Sequence, residues 1–212
     1  MLNKSKGFLR TIYYSNALLL FRLARKSLRR TLSEGEHWMR VVMNRDIDEF
    51  VKNLKPSNLD ALEISGNEYS KYSWKSYVNY NYPDFDLTDP NSEINEFDVV
   101  VCEQVLEHVR QPFVAAQTLY KLVKPGGTLI VNTPFLIKLH GMPDDYWRFT
   151  PSGMRVLLEN SGFTDVAVHA WGNKKCVKGN LGWWQSFRFY HSLKNHESVP
   201  VMIWAFAVKA KV

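Results

Sequence analysis

Short apolar runs alternating with helical stretches predict an α/β fold with a mostly parallel sheet for this 212-residue chain. Two features carry that expectation. Phe97–Cys102 (FDVVVC) sets three adjacent valines in a run with no polar face, the pattern of a strand buried on both sides. From Leu59 onward, runs of this kind are separated by segments with helical spacing. Apolar residues make up 45% and charged residues 23%, which suits one ordinary globular domain rather than a disordered or fibrous chain.

The elements follow in order. Residues 15–32 form an amphipathic helix with Ala17, Leu20, Phe21, Ala24, Leu28 and Leu32 on one face and Arg22, Lys26, Arg29 and Arg30 opposite. A second helix covers Gly35–Leu54, ended by Pro56. Leu59–Ile64 is the first strand, Tyr77–Tyr80 a weaker second and Phe97–Cys102 the third. Pro112–Val123 is helical, with Phe113, Ala116, Leu119, Tyr120 and Val123 on one face, until Pro125-Gly126-Gly127 breaks it. Thr128–Asn132 is the next strand. Pro151 opens a helix at the position that tolerates proline, and Gly162 ends it. Phe163–His169 and Val201–Val208 complete the sheet, the last strand antiparallel. The connection 171–199 carries Lys174, Lys175, Lys178, Arg188 and Lys194 among Trp183, Trp184, Phe187, Phe189 and Tyr190. That mixture suits stacking on sugars, bases or headgroups, or a lid that packs its own aromatics.

The net charge of +6 is uneven. Residues 1–33 hold eight cations and no acid, so the body of the chain sums to −2. A basic arm points to an anionic partner, either a membrane surface or nucleic acid. The domain reading is therefore a basic helical extension, 1–55, followed by one α/β domain, 56–212. The uncharged stretches Thr11–Phe21 and Pro125–Ile137 fall short of the roughly 20 residues of a membrane span. No signal-peptide pattern is read at the N-terminus. Cys102 and Cys176 cannot build a disulfide framework or a cysteine zinc site, and suit reduced thiols in the cytoplasm. No metal cluster is expected.

In open α/β sheets ligands bind beyond the carboxyl ends of the strands. The segments after Ile64, Tyr80, Cys102 and Asn132 are thus where chemistry is expected. Ser65-Gly66 after the first strand has one glycine, and no G-x-G-x-x-G supports a dinucleotide site. Glu107 and His108 read either as functional groups or as a solvated helix start. Trp147 and Phe149 read as core aromatics, and Arg148 as a loop tie.

Three motifs occur in order: Val105-Leu106-Glu107-His108, Lys124-Pro125-Gly126-Gly127, and His140-x-x-Pro143-x-Asp145-Tyr146-Trp147-Arg148-Phe149-Thr150, with Ser161-Gly162-Phe163 closing the next helix. On these residues the chain resembles the class I S-adenosylmethionine-dependent methyltransferases, in the group called methyltransferase type 11, over about residues 59–170. The third motif is typical of a subgroup associated with sugar and cell-envelope glycan pathways. The resemblance implies a Rossmann-like fold and S-adenosylmethionine as cofactor. It implies that Glu63, Ser65 and Gly66 hold the methionine end. Asn81 stands at or near the ribose, Asp86 and Leu87 beside the adenine, and Glu103, Gln104 and Val105 near the sulfonium, with His108 just behind them. The chain departs from the family in its single glycine and in the ten residues, 67–76, left for the first crossover.

The expected reaction is methyl transfer to a small-molecule or glycan acceptor, at oxygen before nitrogen or carbon. His140 is the expected general base, or positions the acceptor hydroxyl; Asp144 or Asp145 orients its ring, and Tyr146 shares the acceptor hydrogen bond. The alternative is a catalytically silent module that docks partners or membrane through its arm. A nucleic-acid substrate has little support, because the Asn/Asp-Pro-Pro-Tyr tetrad is replaced by Glu103-Gln104-Val105-Leu106.

Overall fold

Six strands form one sheet in the order β2-β1-β3-β4-β6-β5 in a computed structural model that describes residues 35–89, 92, 94–141 and 144–211. The strands are β1 (Asp60–Ile64), β2 (Ser76–Tyr80), β3 (Phe97–Glu103), β4 (Val123–Pro134), β5 (Thr164–Trp171) and β6 (Met202–Val208). Strands β2, β1, β3 and β4 pair in parallel, and β6 runs antiparallel to both of its neighbours. The mostly parallel sheet with an antiparallel last strand is as expected. β4 is longer than its sequence signal. The proline-glycine stretch belongs to the strand, across a register shift opposite Phe97–Val99, and Gly126 N–H donates to the Lys209 carbonyl. The arm helix at 15–32 and the basic surface of residues 1–33 lie outside the described residues.

Period-two alternation sends neighbouring strand residues into two cores. On one face Leu62, Ile64, Val100, Cys102, Leu129 and Val131 pack under α2 (Pro112–Leu122) and α3 (Pro151–Asn160). On the other, Ala61, Val99, Val101 and Ile130 pack under α1 (Val41–Asn53) through Val41, Met43, Ile47 and Val51. So α1, which the sequence groups with the basic extension, covers the sheet. Phe50 stacks on Phe206 at 3.8 Å, and Trp204 Nε1 donates to Asp46 at 2.6 Å. Among the described residues no helix is long and apolar enough to cross a membrane.

Two connections shape the site. Between β1 and β2 there is no α-helix, only a 3-10 turn at Glu68–Lys71, although parallel strands usually need a longer crossover. The connection after β5 holds a short helix, α4 (Lys174–Asn180), that the sequence reading does not separate. Asn173 caps it by accepting from Cys176 N–H at 2.9 Å. Backbone bonds from Trp38 to Gln185 and from Phe187 to Glu36 tie this connection to the segment before α1. Phe187 is buried, whereas Trp183 is 83% exposed, so the aromatics divide between packing and surface.

Gly172 stands where the chain leaves β5, and a Cβ there would collide with the backbone of Val199, Pro200 and Val201. Backbone cannot step aside as a side-chain tip can. Gly172→Ala is therefore expected to destabilise the fold by about 2–3 kcal/mol, read by urea unfolding. An unchanged midpoint would show that the connection does not close on β5 in this way.

Candidate functional site

A cleft of about 800 Å³ opens beyond the carboxyl ends of β1 and β3. Its wall includes Ser65, Asp86, Gln104, Val105, His108 and Tyr146, all named by the sequence. Ser65 and Gln104 directly follow β1 and β3, and both adopt left-handed backbone (φ 56° and 55°). Such conformations cost about 1–3 kcal/mol and persist where the surroundings impose them. Here Ser65 N–H donates to the Tyr80 carbonyl at 2.8 Å. Gln104 N–H donates to the Asn132 carbonyl at 3.1 Å, and Gln104 Nε2 to Asn132 Oδ1 at 2.6 Å. Both turns are thereby pinned to the next strand, at the edge where a ligand must approach.

Other predicted cofactor residues are placed elsewhere. Glu63 is buried and does not line the cleft; its carboxylate accepts from Glu68 N–H (3.0 Å), Tyr69 N–H (2.8 Å) and the Tyr77 hydroxyl (2.6 Å). Glu103 accepts from the Tyr69 hydroxyl at 2.8 Å and pairs with Arg40 on the opposite sheet face. Leu87 is a core residue, 3% exposed. Asn81 is exposed beyond β2 and is not part of the cleft wall, which in that region is Tyr82, Asp86 and Thr88. Asp86 accepts from both Thr88 N–H and Thr88 Oγ1. Gly66 faces Glu63: a Cβ there would strike the Glu63 carboxylate.

The opposite wall comes from the turn after β3 and from the segment 144–148. Tyr146 donates to Asp144 Oδ2 at 2.6 Å and accepts from Arg110 Nε at 3.0 Å. Its N–H reaches the Glu107 carbonyl at 2.7 Å, which joins the two segments. Asp145 does not line the cleft. Arg148 grips it with both terminal nitrogens, and it accepts from His140 N–H at 3.0 Å. The Arg148 guanidinium holds the Asp145 carboxyl down at about 2. Arg148 is thus the loop tie that was expected. Phe149 is a core residue, but Trp147 is 40% exposed and donates to the Val109 carbonyl.

His140 is not part of the cleft wall. Its Nε2 is buried and faces Glu107 Oε1 at 3.9 Å, and burial lowers its pKa from the usual value. Glu107 is not a solvated helix start: it is 0% exposed, and neither carboxylate oxygen has a hydrogen-bond partner. Burial pushes it up to about 8. His108 Nδ1 lies 2.5 Å from the Asp144 carbonyl, while its Nε2 lies 3.8 Å from Glu107 Oε1. The fold therefore gathers Glu107, His108 and His140, with ligand-type atoms all within 4.8 Å of one another. The sequence reading missed this cluster, since no local spacing relates residue 140 to residues 107 and 108.

A family model described as a methyltransferase domain matches residues 45–129. The matched segment begins within α1 and ends within β4. Sequence comparison with curated proteins gives no match. Among solved structures, the chain is similar to phosphoethanolamine N-methyltransferase 2 of Haemonchus contortus in complex with S-adenosyl-L-methionine. The TM-score is 0.53 at 14% identity, over 85% of this chain and 54% of that one. It is also similar to the CurJ carbon methyltransferase, with a TM-score of 0.52 at 13% identity over 82% of this chain and 54% of that one. The chain thus spans about half the length of each. At these identities the likeness is one of fold: the Rossmann-like methyltransferase sheet with helices on both faces.

The Gly66 contact separates a packing role from a ligand role. Gly66→Ala is expected to displace the Glu63 carboxylate and to cost about 1–3 kcal/mol with no ligand present. Thermal and urea unfolding of the ligand-free variant measure it. Unchanged stability would return Gly66 to a role in ligand approach alone.

Proposed function

We propose that this chain is an S-adenosylmethionine-dependent methyltransferase that methylates a hydroxyl oxygen of a small-molecule or glycan acceptor. The observation that carries the reading is the cleft itself. It lies at the carboxyl ends of β1 and β3 in a methyltransferase-domain sheet, framed by the left-handed turns at Ser65 and Gln104. About 800 Å³ is the size of a site for a nucleoside-sized ligand together with an acceptor. Ser65, Gln104 and Val105 would hold the methionine end, with Tyr82, Asp86 and Thr88 on the nucleoside side. When bound, S-adenosylmethionine supplies an electrophilic methyl group.

The chain's own task is alignment and removal of one proton. Tyr146 lines the cleft with its hydroxyl already bonded to Asp144 and Arg110. An acceptor hydroxyl placed against the Tyr146 oxygen would pass its proton to that oxygen while the phenolic proton moves to Asp144. His140 and Asp145 serve as positioning residues: the His140 N–H bond to Asp145, and Arg148 on Asp145, fix the segment that presents Asp144 and Tyr146. Trp184 supports a sugar-bearing acceptor. It lies edge-on to His140 at 5.9 Å, under the Lys138 ammonium at 4.6 Å, with exposed Trp183 beside it.

Titration calorimetry with S-adenosylhomocysteine should show one site per chain. Val105→Trp, which fills the cleft, should abolish that heat while the unfolding midpoint stays within a few degrees. No binding to the wild-type chain at millimolar ligand would overturn the reading, and so would undiminished binding to the variant.

A further inference from the structure

We infer that Glu107, His108 and His140 form a binding site for a divalent transition-metal ion of the zinc class. Three observations converge on the point between them. Glu107 is fully buried and both its oxygens lack a partner. Nearly all buried polar groups are hydrogen-bonded, and an isolated buried carboxylate is among the costliest exceptions. The buried Nε2 of His140 also lacks a partner, and it faces the same Glu107 oxygen at 3.9 Å. His108 presents its Nε2 to that oxygen at 3.8 Å. These gaps are too long for hydrogen bonds. One bound cation would satisfy all of these groups.

The donor set and its supports fit that class of ion. Two imidazoles and one carboxylate, with a further position open to water or substrate, suit zinc; a harder ion would call for more oxygen ligands. Bonds of about 2.0–2.1 Å put tetrahedral ligand atoms about 3.3 Å apart, so each donor needs to move in by only a few tenths of an ångström. His108 Nδ1 sits 2.5 Å from the Asp144 carbonyl, so Nδ1 carries the proton and Nε2 keeps its lone pair for a ligand. The two rings meet edge to face at 4.9 Å, and their ligand nitrogens and the Glu107 oxygen all lie within 4.8 Å of one another. Asp145 Oδ2 lies 4.0 Å from His140 Nε2, but Arg148 already grips that carboxylate. That guanidinium bonds Asp145 and makes no hydrogen bond to Glu107.

The site also has a structural consequence. Glu107 and His108 belong to the turn after β3, and His140 to the segment that leads to Asp144 and Tyr146. An ion there would tie the two halves of the acceptor wall together. His108 lines the cleft, so a fourth ligand can arrive from that side.

Ion binding is read without turnover, so it stands apart from the methyl-transfer proposal. Full-length protein stripped with a chelator is titrated with Zn²⁺ by calorimetry, and with Co²⁺ by its visible absorption. One strong equivalent is expected, with a Co²⁺ spectrum that Zn²⁺ displaces. Glu107→Gln and His140→Ala should each weaken Zn²⁺ by more than about 100-fold, since even outer-shell changes cost 10–100-fold. His196→Ala, outside the cluster, should leave binding unchanged. His108→Ala at the cleft wall gives the same test if Glu107→Gln does not fold. No binding by the wild-type chain would overturn the proposal, as would binding undiminished in the cluster variants; Glu107 would then be a neutral buried acid. S-adenosylhomocysteine binding by the stripped protein reports separately on the methyltransferase proposal.

Discussion

Tyr69 ties together the parts of the molecule that a helix would otherwise hold. It is buried in the short connection between β1 and β2, and all its polar groups are engaged. Its N–H donates to Glu63, its carbonyl accepts from Trp74 Nε1, and its hydroxyl donates to Glu103. Glu103 in turn pairs with Arg40, just before α1. Burial raises the Tyr69 pKa far above its usual value, so the phenol stays a donor at any ordinary pH. Through this one residue the ends of β1 and β3, the crossover and the start of α1 are held in one network. Satisfied networks of this kind are rigid, and removing one member leaves a buried charge exposed to loss.

That network holds the Glu63 and Glu103 carboxylates on the α1 side of the sheet, and neither lines the cleft. What remains at the carboxyl edge is polar and small, Ser65 and Gln104, in backbone conformations their neighbouring strands impose. The second wall is built differently, by the Arg148 grip on Asp145 and the Tyr146 bond to the Glu107 backbone. One wall is thus fixed by the sheet, and the other by a charged loop whose ties lie near the Glu107 cluster.

Much of the fold is legible in the sequence because strand burial leaves local marks. The valine run of β3 and Pro151 at the start of α3 locate those elements within a residue or two. The strand alternation also held information about the site. Val99 and Val101 share a face with Glu103, and Ala61 shares one with Glu63, so period two sends both carboxylates away from the helices α2 and α3. Motif position nevertheless assigns Glu63 and Glu103 to the cofactor, because it records where a residue stands along a strand and not which way it points. The burial of Glu107 against His140 has no such mark. It depends on the path of the chain between β4 and α3, and Leu87 likewise becomes core only through the fold of the loop before β3.

A crystal structure with S-adenosylhomocysteine tests the proposed cofactor site at the edge of β1 and β3. The thioether sulfur is expected between Ser65 and Gln104, with the adenosine on the Tyr82–Thr88 side and Tyr146 facing the open end. Density for the ligand at any other surface, or a cleft left empty at saturating ligand while Ser65 and Gln104 keep their left-handed turns, would contradict it.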